Sequence, residues 1–273
     1  MIQIRFWSAL GLAALPIAAW AQAAPESPPA APTPICTDRP TKSNVPCTVD
    51  SGSFQYEADL ANATFSDQDG VKTDTWLLFN PTFKYGLTPT LDVEANIAAD
   101  EIVQTQGPSG GHTVSGVGDL YFRLKYAFLD VDKGALTASI IPYVKAPTAR
   151  LGLGDGAVEE GALVPVSYKL TSELTVTTAP EIDVFKDAEN EGRHLNTAQL
   201  VNLAHSLPGG VTLFGELWGD WNFDPAGEVR QVSADAAAAW AVTPRLQFDA
   251  GANFGLNRET PGVQVYVGIS QKF

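Results

Sequence analysis

Leu246-Gln247-Phe248-Asp249-Ala250-Gly251-Ala252-Asn253-Phe254-Gly255-Leu256-Asn257 alternates between two rows, one apolar and one polar or glycine. After a short break the pattern resumes. Val263, Val265, Val267, Ile269 and Phe273 stand against Gln264, Tyr266, Gly268, Ser270 and Lys272, and only Gln271 interrupts the apolar row. Successive side chains of a strand point to opposite faces, so each run is a strand with one apolar and one polar face. Upstream, Leu120, Phe122, Leu124 and Tyr126 oppose Asp119, Tyr121, Arg123 and Lys125. Leu91, Val93, Ala95 and Ile97 likewise oppose Asp92, Glu94 and Asn96. The runs last about ten to thirteen residues, against roughly 5–6 for a typical strand.

The breaks are as regular as the runs. Short turns fall near Pro89, Val131, Ser172, Pro208 and Pro244, 36–42 residues apart. Three share a frame: Tyr85-x-Leu87-Thr88-Pro89, Tyr168-x-Leu170-Thr171-Ser172 and Trp240-x-Val242-Thr243-Pro244. Longer polar breaks at 65–72, 102–116, 147–159, 186–193, 223–228 and 258–262 lie between them. Two strands per period, with short turns at one end and long loops at the other, predict an up-and-down antiparallel β-barrel. Twelve strands are expected, starting near 53, 73, 91, 117, 134, 160, 173, 194, 211, 229, 246 and 263. A propeller repeats at about 40–45 residues but needs four short strands in each repeat, where this chain has two long ones. Strands of about ten residues suit a tilted bilayer crossing, and closure leaves no unpaired edge in lipid. Tyr85, Tyr126, Tyr168, Trp240 and Phe273 lie near the short-turn end, as an interfacial aromatic girdle would. The expected fold class is therefore all-β, a single transmembrane barrel over residues 51–273, and a soluble all-β protein is the rival.

Composition sets the compartment and excludes some partners. The chain has 273 residues and a net charge of −14, with 17 Lys and Arg against 31 Asp and Glu. Nucleic acid is excluded as a partner, because binding it needs a dense basic surface. The mean hydropathy of −0.01 is what apolar and polar rows average to. Met1–Arg5 is basic, Phe6–Ala21 is apolar, and small residues follow, which together describe a cleaved signal peptide over 1–21. A retained anchor is the alternative, but the apolar run is shorter than the roughly 20 residues of a spanning helix. Residues 22–50 are expected on the periplasmic side, as a Pro/Ala-rich linker over 24–34 and then a loop bearing Cys36 and Cys47. Two cysteines this close in an exported chain read as a local disulfide. Their position also lets this segment plug the periplasmic mouth.

Thr37-Asp38-Arg39-Pro40-Thr41-Lys42-Ser43, followed by Gly52-Ser53-Phe54-Gln55-Tyr56-Glu57, resembles the opening of an outer-membrane family named for the MetA pathway of phenol degradation. Gly116-Val117-Gly118-Asp119 is similar to its mid-barrel signature. Leu246-Gln247-Phe248-Asp249 through Gly255-Leu256-Asn257, closing with Val265-Tyr266-Val267-Gly268, is similar to its C-terminal one. The resemblance covers roughly residues 36–273. Gln271 departs from the apolar or aromatic residue usual near the end of such barrels, and the cysteine pair is not a general family feature. The resemblance implies a Gram-negative outer-membrane barrel that passes small, often aromatic or apolar, compounds.

If the apolar rows face lipid, the opposite rows face the lumen. They carry Glu57, Asp59, Asp92, Glu94, Asp119, Glu181, Asp183, Glu216, Asp220, Asp235 and Asp249, with Lys84, Arg123, Lys125, Lys145 and Lys169 as cationic partners. A narrow acidic channel would favour cations or neutral polar solutes. The competing reading is a lumen filled by these side chains, since open aqueous pores usually take 16–18 strands. The expected function is passive transport of small compounds into the periplasm, with outer-membrane lipid and lipopolysaccharide as surroundings. A closed structural or lipid-interacting barrel is the alternative.

A lipid hydrolase is a further alternative, which needs a Ser activated by His and an orienting third group. His205 and Ser206 are adjacent and so point to opposite faces, while His112 and Ser115 lie in a Gly-rich loop. No enzyme, cofactor or metal is expected. Gly152-Leu153-Gly154-Asp155-Gly156 lacks the Lys and helix of a phosphate loop. Asp67, Asp69, Asp155, Glu159, Glu160, Asp187, Glu189 and Glu191 make the long loops acidic. Solvation explains this more simply than divalent bridging to lipopolysaccharide.

Overall fold

Period-two sequence becomes strand from Phe54 to the C-terminus. The structure, a computed structural model, describes residues 33–129 and 135–273. The expected signal peptide, residues 24–32 of the linker and the turn at Val131 lie outside the described residues. The strand segments are β1 (Phe54–Gln68), β2 (Val71–Thr88), β3 (Leu91–Ile97), β4 (Asp100–Gly107), β5 (Gly110–Gly116), β6 (Leu120–Leu129), β7 (Leu136–Ala146) and β8 (Glu159–Leu163). They continue as β9 (Val166–Lys169), β10 (Leu174–Thr178), β11 (Glu181–Lys186), β12 (Arg193–Leu207), β13 (Val211–Asn222), β14 (Val229–Thr243), β15 (Leu246–Gly255) and β16 (Val263–Lys272).

Four pairs of segments each make one crossing: β3 with β4, β5 with β6, β8 with β9, and β10 with β11. The two members of each pair line up beside the same neighbouring strand or crossing. Two of the interruptions fall at Pro165 and Pro180, where the missing N–H breaks a ladder. Their carbonyls still accept from neighbouring crossings, Ser139 N to Pro165 O at 3.1 Å and Val164 N to Pro180 O at 2.9 Å. The result is twelve antiparallel crossings. β1 pairs with β2 on one side and β16 on the other, so the sheet closes. A bulge at Leu60 of β1 puts one extra residue on the outer face and restores the inward phase at Asn62.

The twelve strand starts agree with the sequence except at one place. The fourth crossing starts at Gly110 rather than 117, because most of the polar stretch 102–116 is a hairpin, β4 paired with β5. Residues 65–72 are also mostly strand, turning tightly at Asp69–Gly70, whose φ values of 52° and 78° suit a type I′ turn. Polar composition is misleading here. A strand that rises beyond the membrane meets water on both faces and loses its apolar row.

Burial is inverted relative to a soluble protein. Asp92 and Gln55 are fully buried, while Leu217 is 60% and Phe128 51% exposed. In a closed sheet, an apolar outside and a polar inside are what a bilayer demands, since lipid satisfies no backbone group. Tyr85, Tyr126, Tyr168, Trp240 and Phe273 all face outward. Phe273 packs on Phe54 and Tyr56 at the closing seam, with ring centroids 6.0 and 6.1 Å apart.

Candidate functional site: the lumen and the segment inside it

Residues 33–50 join no strand of the wall. Cys36 and Cys47 form a disulfide that closes a loop at a Cα separation of 6.0 Å. The polar groups of this segment reach inward-facing side chains from the short-turn end, at Lys84 and Asp92, up to Ser233 and Asp235 in the long-loop half of β14. The inward rows of β1, β2, β3, β6, β13, β14, β15 and β16 present the partners because period two puts every second residue in the lumen.

Three side chains of the segment are anchors. Asp38 lies between two buried lysines, accepting from Lys84 of β2 and, at 2.7 Å, from Lys125 of β6. Lys84 also meets Glu57 at 2.6 Å and Glu94 at 3.5 Å, and Lys125 meets Glu94 at 3.4 Å. Burial disfavours the Asp38 anion, but the Lys125 and Lys84 ammoniums outweigh it and hold the carboxyl well below the usual carboxylate range. Arg39 forks between two walls, to Asp59 of β1 at 2.7 Å and to both oxygens of Asp249 of β15 at 2.7 and 3.1 Å. Lys42 reaches Asp235 of β14 at 2.5 Å and Ser233 at 3.0 Å, and lies 4.8 Å from the Trp218 ring centroid.

Backbone contacts complete the seat. Asp38 N donates to Glu57 at 2.9 Å, Lys42 N to Glu216 at 3.2 Å and Val49 N to Asp92 at 2.8 Å. The exit is fixed by Lys272, which donates to Thr33 O at 2.7 Å and pairs with Asp50 at 2.8 Å. Among the described residues no hydrogen bond or ion pair joins residues 33–50 to β7–β12. The inward row there is small or apolar near the short-turn end, with Ile141, Ala179, Ala198 and Leu200 buried and Ser167 bonded to Thr177 at 2.7 Å.

The eleven carboxylates expected in the lumen all face it, in three settings. Glu57, Asp59, Asp92, Glu216, Asp235 and Asp249 meet the segment, and Glu94 joins them through Lys84 and Lys125. Asp119 accepts from Ala149 N at 2.8 Å and lies 3.5 Å from Lys145. Lys145 itself is held by Asp155 of the 147–158 loop at 2.8 Å and by Glu159 at 2.7 Å. Glu181, Asp183 and Asp220 have no Lys or Arg within ion-pair distance among the described residues. Asn196 bridges Asp183 and Asp220 at 3.1 and 2.8 Å, and Tyr143 donates to Asp183 at 2.7 Å. Arg123 stands 6.0 Å from the Tyr121 ring without an acidic partner among the described residues. Lys169 sits exposed at the short-turn rim.

Above the segment lie three cavities, of ≈ 140, ≈ 260 and ≈ 200 Å³. They share linings, Arg39, Thr41 and Asp59 between the first two and Lys42, Asn253 and Gln264 between the last two. Together they form a vestibule bordered by the segment, polar beside Arg39 and Asp59 and more apolar beside Trp218 and Pro261. No serine hydroxyl bonds a histidine among the described residues, and His205 and Ser206 are successive residues of β12.

Residues 37–273 match the family described as "Putative MetA-pathway of phenol degradation". The chain belongs to that family. Among solved structures, the COG4313 outer membrane channel from Pseudomonas putida F1 is similar at 14% identity and a TM-score of 0.68, over 86% of this chain and 99% of that one. The NanC porin aligns at 9% identity and a TM-score of 0.54, covering 80% and 100% of the two chains. The β domain of the Bordetella autotransporter BrkA aligns at 15% and 0.52, covering 82% and 100%. At these identities the likeness is one of fold. No curated protein matches. The closed, inside-out sheet, shared with outer-membrane barrels, places the protein in the Gram-negative outer membrane.

The family match begins at Thr37, so it includes the anchors Asp38, Arg39 and Lys42. The position of the segment suggests a plug, but the Pro- and Ala-rich lead hides which of its side chains anchor it. The one visible signal is a run of charged residues inside the span that the cysteines bracket. Gly268 marks the docking from the other side, since a Cβ there would overlap the Arg39 guanidinium. Gly268→Ala should therefore loosen the fork to Asp59 and Asp249 yet leave the strand intact. The expected result is more frequent opening in single-channel records at unchanged heat-modifiable gel mobility, and lost mobility would mean a barrel defect instead.

Proposed function

We propose that the protein is a passive outer-membrane channel for small solutes, and that residues 33–50 close it in the state described. The observation that carries this reading is how the segment is held. Its polar anchors run round the wall from β13 through β1 to β6 and leave β7–β12 free, through reversible ion pairs and hydrogen bonds, beside the vestibule. Displacement toward the periplasm would join the vestibule to the other side. No nucleotide-binding motif supplies energy, so net movement follows the solute gradient into the periplasm.

Membership of a family described by phenol degradation supports small, aromatic or apolar compounds as cargo. Glu181, Asp183 and Asp220, without cationic partners among the described residues, favour neutral or cationic solutes over anions. The test is uptake into liposomes holding the folded full chain, comparing phenols, aromatic acids and alkanes. Faster uptake of phenols than of aromatic acids is expected, and no uptake above protein-free liposomes would refute the channel. The second reading, a closed structural barrel, draws on the fully buried Lys84 and Lys125 network and predicts silence in the same assay.

Acid gives a further check. A depressed carboxyl stabilises the docked segment fully above its free pKa of about 3.9 and loses that contribution only as pH falls through its lower docked value. The Asp38 anchor should therefore survive mild acid. In planar bilayers Asp38→Asn should raise open probability already at neutral pH. Equal open probability for the variant and the native chain at neutral pH would remove Asp38 from the closing device.

A further inference from the structure

At the opposite, long-loop end of the barrel a separate cluster joins two turns. Asp187 follows β11, His194 opens the inward row of β12, and Asp224 follows β13. His194 Nδ1 lies 2.9 Å from Asp187 Oδ1 and 3.6 Å from Asp224 Oδ2, and one donor atom from each residue falls within 4.8 Å of the others. Donors bound at about 2.0–2.1 Å around a tetrahedral cation are about 3.3–3.4 Å apart, a spacing these two distances bracket.

The donors are already aimed. Ala188 N donates to Asp224 Oδ2 at 2.9 Å and Ala226 N to its Oδ1 at 2.7 Å, so backbone from both turns fixes that carboxylate. The Phe185 ring meets the His194 ring edge-on, with centroids 6.2 Å apart, and limits its rotation. His194 and Asp187 are both more than nine-tenths buried, yet His194 Nε2 has no hydrogen-bond partner among the described residues. It is the other ring nitrogen, Nδ1, that faces the two carboxylates.

Charge gives an independent reason to look for a cation. Neither carboxylate has a Lys or Arg within ion-pair distance among the described residues, so His194 is their one basic neighbour there. Two carboxylates held this close strongly favour a compensating charge. A protonated imidazole supplies one unit and leaves the cluster negative, whereas a divalent cation neutralises it. We propose that Asp187, His194 and Asp224 bind a first-row divalent cation, Zn²⁺ by ligand chemistry, with the remaining coordination position open to solvent. The imidazole selects against Mg²⁺ and Ca²⁺, which prefer oxygen ligands. The bound ion fastens the turn after β11 to the turn after β13 at the outer mouth.

Tag-free, chelator-washed, folded protein titrated calorimetrically with zinc chloride tests the site. One Zn²⁺ per chain is expected, and His194→Gln or Asp187→Asn should weaken binding by roughly tenfold or more. The double variant His112→Gln/His205→Gln should bind as the native chain does, which separates this site from the other histidines. Heat-modifiable mobility verifies that each variant is folded. Absence of stoichiometric binding by the folded native chain, undiminished binding by folded His194→Gln, or equal competition from Mg²⁺ would each overturn the proposal.

Discussion

A variant lacking residues 22–50 should insert, fold and conduct several-fold more current than the native mature chain in planar bilayers. The wall does not need the segment for closure, since β1–β16 and β1–β2 pair through the backbone alone. The segment instead lies inside the lumen, where the anchors Asp38, Arg39 and Lys42 stretch from β2 and β6 on one side to β14 and β15 on the other. Its removal leaves an open path from the vestibule to the periplasmic rim. It also releases carboxylates such as Asp59, Asp249 and Asp235 from their only cationic partners among the described residues. The open variant should therefore be more cation-selective as well as more conductive, measured as a reversal potential under a salt gradient. Unchanged conductance together with normal heat-modifiable mobility would show that the segment is no plug.

Lys84→Met should produce the largest loss of stability of any single change in the lumen. Lys84 is buried and shared by Asp38, Glu57 and Glu94. Removing one partner of a buried ionic group typically costs about 3–5 kcal/mol, because the remaining charges stay buried without compensation. Two routes of relief are open: the segment undocks, or the strands β1–β3 lose stability. Comparison with Asp38→Asn separates them. That substitution detaches the segment but leaves Lys84 with Glu57 and Glu94, so it should raise conductance with little change in the urea midpoint. Lys84→Met should lower the midpoint as well, and Glu57→Gln in the same chain should recover part of the loss. A Lys84→Met barrel as stable as the native one would show that the Lys84 ion pairs add nothing to stability.

The lumen lining is legible residue by residue because strand geometry is local. Once Leu246–Asn257 sets a phase of two, Asp249 must point away from Phe248, and the same rule places Glu57, Asp92 and Asp183 inside. The rule fails where water reaches both faces of a strand. Residues 110–116 carry no apolar row and read as loop, yet β5 pairs with β4 through the backbone. Alternation also says nothing about which inward groups meet. Arg39 and Asp249 are 210 residues apart and form a two-pronged ion pair. His194 offers no ligand set along the chain, because Asp187 and Asp224 approach it together only when two turns meet at the mouth.

The sequence by itself determined the period, the number of crossings, the sign of each face and the disulfide, because each depends on neighbours along the chain or on counting. Closure of the sheet decided the rest. It brought β1 beside β16, set an N-terminal segment within a ring of carboxylates, and divided the acidic row into groups that hold the segment and groups that line the free wall. The physical reason is that strand alternation is fixed by backbone geometry between adjacent residues. The pairing of charges across a lumen depends on distances that do not exist until the barrel has closed.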